Sequence, residues 1–186
     1  MASVEQEVND HRQQVAGRRR ARRLALQALY AMALSDRSAA EVSVEFEAQQ
    51  DFAKADTAYF RRLVMGVERY RTQIDAAFSP CLDRALAALT PIELAILRMA
   101  TFELLHQVDV PFRAVISEGV NLASKFGADQ SFKYINGVLD KCARRLRHVE
   151  QGANAESSVG GGGEGVSGDG LPEHTETPLP AQSQPA

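Results

Sequence analysis

The sequence predicts an all-α protein, a compact bundle of about six to seven helices. Alanine and leucine dominate the apolar residues while valine and isoleucine are sparse, a bias that favours helices over strands. Apolar residues also recur at intervals of three and four along most of the chain, whereas the strict alternation typical of a strand is missing from the sequence. A length of 186 residues suits one folded domain with tails.

Charge is distributed unevenly between the ends and the middle of the chain. Residues 1–16 carry a net charge of −2, and residues 151–186 contain five acids and no Lys or Arg, whereas residues 17–150 hold 20 bases and 16 acids. We therefore expect a disordered N-terminal extension over 1–16, a folded basic domain over 17–150, and a disordered acidic tail rich in Gly, Pro and Ser over 151–186. Such a tail buries too little apolar surface to offset the entropy of ordering its backbone. It is either a solvated spacer or a screen against nonspecific polyanions.

The sequence shows no pattern typical of an enzyme, a metal site or a cofactor site. Cys81 and Cys142 are far apart and lack a neighbouring Cys or His at metal-ligand spacing. The four histidines have no nucleophile or acid at a suggestive spacing. The polar N-terminus does not resemble a signal peptide, and no apolar run approaches the roughly 20 residues that span a bilayer. We expect a cytoplasmic protein with reduced thiols, no catalytic residue, no metal, no cofactor and no membrane contact.

The sequence of the first half of the folded domain predicts three helical segments. The first runs from about Arg18 to Leu34 and the second covers "AAEVSVEFEAQQDF". The third is long, begins at Asp56 or Thr57 as N-cap, and is broken or bent by Pro80. The expected core stripe of the first helix comprises Ala21, Leu24, Ala25, Ala28, Leu29 and Met32.

The second half contains stronger helix signals. In "LTPIELAILRMATFELLHQ", Thr90 and Glu93 form a capping box around Pro91 at the first helical position. The helix in "AVISEGVNLASKFG" is expected to end with Gly127 in a left-handed conformation. Ser131 is expected to cap the last helix, "SFKYINGVLDKCARRLR".

An arginine cluster opens the first helix, where "GRRRARRLALQALYAM" has five arginines in the six residues 18–23. Cations at a helix N-terminus face the unfavourable end of the macrodipole, so folding does not explain them. Arginine suits phosphate contacts and base stacking, and RNA is favoured over DNA because no helix-turn-helix or zinc module is present. Arg19, Arg23, Gln27 and Tyr30 fall on one stripe. The alternatives are a solvated charged face and a Tyr30 half-buried against another helix.

Several segments together resemble the NusB family of bacterial transcription antitermination factors. The resemblance rests on "RRRARRLALQALY", "YFRRLVMGV", "LTPIELAILRMATFELL" and "DVPFRAVISEGVNLASKFGADQSFKYINGVLD", and it covers nearly all of residues 17–150. It implies two packed helical sub-bundles and binding to the single-stranded boxA element of nascent ribosomal RNA. It also implies a heterodimer with NusE, a small-subunit ribosomal protein, within an antitermination complex on RNA polymerase. Whether the free protein forms a homodimer stays open.

The same resemblance implies which residues bind. The RNA-binding set comprises Arg18, Arg19, Arg20, Arg22, Arg23, Gln27, Tyr30, Lys133 and Tyr134, and the surface shared with the partner or RNA comprises Glu93 and Gln130. Gln130 departs from the family pattern, which has an acid there, so we expect easier RNA contact or altered NusE contact. Glu93 has an equally good structural interpretation as part of the capping box, and both roles are compatible.

Two other functions compete with boxA recognition. One is a general RNA-binding accessory protein, as in the NusB-like N-terminal part of certain ribosomal RNA cytosine methyltransferases. The catalytic version is not expected here, because the chain carries no Rossmann unit for a methyl donor. The other is a protein-binding helical adaptor whose arginines contact no RNA. The adaptor would bind RNA only weakly, and neither protein would prefer boxA.

Overall fold

This computed structural model describes residues 2–35 and 37–147. The described residues contain seven α-helices and no strand. The all-α prediction is confirmed. The helices are α1 (Ala2–Ala33), α2 (Ala39–Glu47), α3 (Thr57–Arg69), α4 (Arg71–Phe78), α5 (Pro91–His106), α6 (Phe112–Phe126) and α7 (Ser131–Leu146). Short 3-10 helices span Gln50–Lys54, Ser79–Cys81 and Leu86–Ala88. None of the described helices is long and apolar enough to cross a membrane.

Helix α5 is the centre of the packing. It contacts α1 and α3 on one side and α4, α6 and α7 on the other, while α1, α2 and α3 also pack together and α6 packs along α7. These two groups of helices correspond to the two expected sub-bundles. The predicted stripe of α1 is confirmed, since all its members are buried except Met32, which is partly buried against the core.

Helix α1 begins at Ala2, well before the predicted start near Arg18. Residues 2–16 are thus helical where sequence analysis expects a disordered extension, and residues 5–16 are exposed. The stretch "EQEVNDHRQQVA" is rich in helix formers and continues without a break into the arginine cluster. Gln6 Nε2 also donates to Asp10 Oδ1 at 2.9 Å, one turn later. The expected tail over 151–186 lies outside the described residues.

The predicted N-caps of α3 and α5 are confirmed. The Asp56 carboxylate accepts a hydrogen bond from the Tyr59 backbone N–H at 2.9 Å. At α5, the Thr90 hydroxyl accepts from the Glu93 N–H at 3.3 Å, and the Glu93 carboxylate accepts from the Thr90 N–H at 2.9 Å. These short-range patterns fix where both helices begin.

The long third helix predicted from sequence is divided at Tyr70. This residue has φ −105° and ψ 18°, outside helical geometry, and α4 starts immediately after it. Its ring stacks on His106 at 4.4 Å and lies 6.3 Å from the Phe102 ring. Packing against α5 therefore turns the chain at Tyr70, in addition to the predicted ending of the helix beside Pro80.

Two expectations for the α6–α7 loop are wrong. Gly127 has φ −80° and ψ 170°, so it is extended and not left-handed. A Cβ there would lie 2.6 Å from the Ala123 carbonyl oxygen and 2.8 Å from the Ser131 Cβ, so close approach explains the glycine. The N-cap of α7 is Gln130, in the left-handed region at φ 62°, and Ser131 is already helical. The Ser131 side chain bonds elsewhere, to Glu93.

Candidate nucleic-acid interface

A basic groove of about 600 Å³ lies between α1 and α6. We call it the arginine groove. It is lined by Ala16, Arg19, Arg20, Arg23, Glu118, Asn121, Leu122, Lys125 and Phe126. Four of these side chains are cations and one is an acid, so the groove is a concentrated positive surface. An elongated polyanion is the ligand that such a surface suits.

The single acid of the groove holds one of its arginines in place. Arg19 forms an ion pair with Glu118 at 2.8 Å, and the Arg19 side chain is still 63% exposed while that of Glu118 is 11% exposed. Within the described part of the chain, Arg20 and Lys125 form no ion pair with any acid. These two side chains are therefore available to pair with an anionic ligand in the groove.

Arg18 lies outside this groove and is turned toward the body of the protein. Its Nη2 donates to the Asp109 carboxylate at 2.9 Å, on the loop between α5 and α6. Its guanidinium also stands over the Tyr59 ring, 4.8 Å from the centroid. The side chain is only 21% exposed, so most of its surface is already covered.

Arg22 is placed in the interior, with 5% of its surface exposed. Its Nε donates to Glu103 of α5 at 2.9 Å and its Nη2 donates to the Tyr59 hydroxyl at 2.9 Å. Burial lowers the pKa of Arg22, but the Glu103 carboxylate, with Tyr59 and Glu118, raises it by more in total, so the pKa lies above its ordinary value. Of the five arginines in the cluster, Arg22 thus joins α1 to α3 and α5.

Two further predicted RNA-binding residues continue the exposed stripe of α1. Gln27 is exposed, and Tyr30 is 37% exposed. Both follow Arg19 and Arg23 at helical spacing, so the four side chains leave the same side of α1. The alternative in which Tyr30 is half-buried is compatible with this exposure, since about a third of the residue reaches solvent.

Glu93 connects the start of α5 to the start of α7. One of its carboxylate oxygens accepts from the Thr90 backbone, and the other accepts from the Ser131 hydroxyl at 2.9 Å. The residue is 6% exposed. Burial raises the pKa of Glu93, but the bonds from the Thr90 backbone and from the Ser131 and Thr90 hydroxyls lower it by more, so the pKa lies below its usual range.

The remaining predicted site residues lie beside this junction. Gln130 and Lys133 are exposed, and Tyr134 is partly buried. The guanidinium of Arg84 stands over the Tyr134 ring, 4.1 Å from its centroid. Only residues 127–130 separate the α6 end of the arginine groove from α7. The predicted residues therefore form two clusters, joined by one short loop.

Sequence reasoning missed the second wall of the groove. Glu118, Asn121 and Lys125 occur at intervals of three and four on α6, a spacing that places them on one face of a helix. The polar face was visible in the sequence, but its position opposite α1 was not. Arg84 was also missed, because its stacking on Tyr134 joins residues 50 positions apart.

Metal ligation receives no support from the described residues, among which no group of three or more His, Cys, Asp or Glu side chains could hold an ion. Cys81 and Cys142 are both buried and free.

Comparison with known proteins agrees with the fold. The family model described as the NusB family matches residues 19–144. The protein named transcription antitermination protein NusB of Pseudomonas fluorescens (strain Pf0-1) is 50% identical over 135 residues, covering 73% of this chain and 81% of the relative. Its namesake in Alcanivorax borkumensis is 49% identical over 135 residues, covering 73% and 90%. The solved structure of T. maritima NusB superposes with a TM-score of 0.66 at 28% identity, covering 73% of this chain and 96% of that one. The chain belongs to the NusB family.

Proposed function

We propose that this protein is a cytoplasmic transcription antitermination factor that binds the boxA element of nascent ribosomal RNA together with NusE. In that role it joins the antitermination complex on RNA polymerase and supports transcription through ribosomal RNA operons. The observation that carries the proposal is the arginine groove, whose cations outnumber its acid by four to one. Its relatives of about 50% identity bear the name of antitermination proteins. The proposed action is binding, without a catalytic step or a cofactor.

Phosphate contacts from the groove supply most of the affinity in this proposal. Arg19, Arg20 and Arg23 project from one helix and Lys125 projects from the facing helix, so a strand lying in the groove meets cations on both sides. Guanidinium groups bind phosphate with two parallel hydrogen bonds. Arg18 is turned toward Asp109 and Arg22 toward Glu103, so we assign these two to orienting α1 and not to direct contact.

Preference for boxA comes from the exposed stripe beyond the arginines. A base that leaves the stack can lie on Tyr30, a contact worth about 1–3 kcal/mol in comparable sites. Gln27 lies one turn away and presents an amide that can both donate to and accept from a base edge. Phosphates position the strand while these two side chains distinguish one sequence from another.

The second cluster is the surface we assign to the far end of the RNA and to NusE. Lys133 is an exposed cation, and the Arg84–Tyr134 stack adds a second positive group beside it. Gln130 is exposed and uncharged where the family pattern has an acid, which removes one repulsive charge from this surface. Glu93 is covered by Thr90 and Ser131, so its part is to hold the cluster together.

The deciding experiment is fluorescence anisotropy of a labelled boxA RNA and of a scrambled strand at several salt concentrations. Each is titrated with this protein alone and with equimolar NusE. We expect boxA-selective binding that improves with NusE. Arg20→Ala is expected to weaken binding and to reduce the salt slope by about 0.7 per lost phosphate contact. Arg61→Ala is the matched control, because Arg61 is exposed on α3 and pairs with Glu47 outside the groove.

Three results would contradict the proposal. Equal affinities for boxA and the scrambled strand, unaffected by NusE, would indicate a general RNA-binding accessory protein. Equal losses for Arg20→Ala and Arg61→Ala would remove the groove from the binding surface, and negligible RNA affinity in every variant would indicate a protein-binding adaptor.

A further inference from the structure

We propose that the arginine groove also binds the acidic C-terminal tail of this same chain, residues 151–186, which thereby competes with RNA. The inference goes beyond the proposed function and does not require boxA recognition. It rests on three features: the charge of the groove, the charge of the tail, and the place where the described chain ends.

The charges of the groove and the tail are complementary. The groove is lined by four cations and one acid, and that acid is paired with Arg19. The tail has five carboxylates and no Lys or Arg anywhere along its length. Opposite charges of this density attract within about 10 Å at 0.1 M salt. Residues 38–53 also combine four acids with no Lys or Arg, but they are shorter than the tail and include helix α2, which is packed into the fold.

The described chain ends beside the loop that precedes the groove's second wall. The Arg147 guanidinium donates to the carbonyl of Leu104 at 2.8 Å and to that of Val110 at 2.8 Å. Val110 is followed within two residues by α6, whose outer face lines the groove. Asp109 of the same loop pairs with Arg18 at the start of the arginine cluster. The described chain therefore ends near the start of α6, about 9 Å along the helix axis before Glu118, the first groove residue of α6.

The tail is long enough to cover the groove. From the first residue of α6 to Lys125 the helix rises about 20 Å, at 1.5 Å per residue. Arg147 is followed by 39 residues, and a flexible Gly-rich linker of that length spans about 31–37 Å in general. Because attachment to the same chain gives an effective concentration in the millimolar range, even weak ion pairing populates the bound state.

The occupied groove would act as an electrostatic filter. The carboxylates of the tail are spread over 21 residues, from Glu156 to Glu176, and are singly charged, so a polyphosphate strand that makes many contacts displaces them. A polyanion that makes only a few contacts does not displace the tail. The expected consequence is weaker nonspecific binding at low salt, with a smaller effect on the preferred RNA.

The test uses the full-length chain with the tail kept at its natural length. In the neutralised variant, all five tail acids are changed: Glu156→Gln, Glu164→Gln, Asp169→Asn, Glu173→Gln and Glu176→Gln. The first measurement, without RNA, compares the side-chain Nε–Hε NMR signals of the groove arginines in the two proteins. We expect the signals of Arg19, Arg20 and Arg23 to differ at about 50 mM salt and to converge at about 0.5 M, where screening is strong. The signal of Arg61, outside the groove, should not move.

The second measurement is the affinity for a labelled oligouridylate strand. The neutralised variant is expected to bind about 3- to 10-fold more tightly at low salt, and the gain should disappear as salt rises. Glu45→Gln combined with Asp140→Asn controls for net charge, because these acids lie outside the groove. This control should change the affinity less than twofold.

The proposal fails if the groove arginine signals are the same with the native and the neutralised tail. It also fails if the net-charge control gains as much affinity per removed acid as the tail variant does. Since the NMR comparison contains no RNA, a failure of boxA selectivity would leave this result unaffected.

Discussion

Arg22 and Glu103 form a bifurcated hydrogen bond in the interior, with the arginine Nε 2.9 Å and 3.2 Å from the two carboxylate oxygens. The residues are 81 positions apart in the chain, and the pair joins the arginine-bearing helix α1 to the central helix α5. The Tyr59 hydroxyl contacts both side chains, so α3 is part of the same network. Arg22 therefore stabilises the packing of α1 against α3 and α5, and this packing positions the other arginines of the cluster at the surface.

We expect Glu103→Gln to destabilise the fold by about 3–5 kcal/mol, because the guanidinium of Arg22 would be left buried without a counter-charge. The check is urea denaturation followed by circular dichroism. Replacing both partners, Arg22→Met with Glu103→Leu, should recover part of the loss, since no unpaired charge remains. Glu45→Gln breaks an exposed pair with Arg37 and should leave the midpoint nearly unchanged. A Glu103→Gln protein as stable as its parent would show that the pair is dispensable.

Tyr30→Ala should weaken binding of boxA RNA more than binding of a scrambled strand. Loss of one stacked base costs about 1–3 kcal/mol, or about 5- to 150-fold in affinity. Tyr30→Phe keeps the ring and should retain most of the preference. Competition anisotropy with the two strands measures the ratio directly. If both strands lose affinity equally in Tyr30→Ala, the tyrosine contributes to general affinity and not to sequence readout.

Glu93 should make stability depend on pH in the acidic range. Its pKa in the folded protein lies below its ordinary value, because the bonds from Thr90 and Ser131 outweigh the opposing effect of burial. Its contribution is therefore fully present above the unfolded pKa of about 4.3 and is lost as pH falls through the folded pKa. The stability difference between the parent and Glu93→Gln should be largest near neutral pH and shrink below about pH 4.

Denaturant titrations at a series of pH values measure this difference. Glu41→Gln is the matched control, because Glu41 forms the corresponding capping box with Ser38 on α2 and its pKa is also lowered. Glu41 is exposed and has no bond equivalent to that from Ser131, so its effect should have the same sign and be smaller. A difference for Glu93→Gln that grows as pH falls would contradict the assigned direction.

Gly66 and Gly137 should respond oppositely to alanine. A Cβ at Gly66 of α3 would lie 2.2 Å from the Phe102 ring, whereas one at Gly137 of α7 would meet nothing within 4 Å. Phe102 is held between α3 and the Tyr70 and His106 rings, so it has little room to move. We expect Gly66→Ala to destabilise by about 1–3 kcal/mol, and Gly137→Ala to stabilise by up to about 1 kcal/mol through helix propensity.

Thermal melts of the two variants test this pair, with about 2–4 °C expected per kcal/mol for a chain of this size. A parallel shift of both variants in the same direction would show that the two glycines have similar surroundings, contrary to the structure.

The parts of the fold that depend on neighbouring residues could be predicted from the sequence. Thr90 and Glu93 are three residues apart, and their reciprocal bonds follow from local helix geometry. The buried stripe of α1 follows from the periodicity of its alanines and leucines. The break at Tyr70 could not be predicted, because it depends on stacking against His106, 36 residues later.

The candidate site was likewise predictable only in its local features. The charge of the arginine cluster was evident, but the different surroundings of its members were not. Arg20 faces the groove and Arg22 faces Glu103, although they are two residues apart on one helix. What separates them is the position of α5 and α6, and no local pattern in α1 encodes it.

Because the ion-pair partners of the cluster lie far along the chain, the arginines are synthesised well before the acids that pair with them. Arg18, Arg19 and Arg22 are made 81 to 99 residues before their partners Asp109, Glu118 and Glu103. At about 5–20 residues per second, the arginines leave the ribosome about 4–20 s before the acids that will hold them. For that interval the cluster is a cationic nascent segment beside ribosomal RNA. The emergence of α5 and α6 then withdraws Arg22 into the core and leaves the groove as the cationic surface of the finished protein.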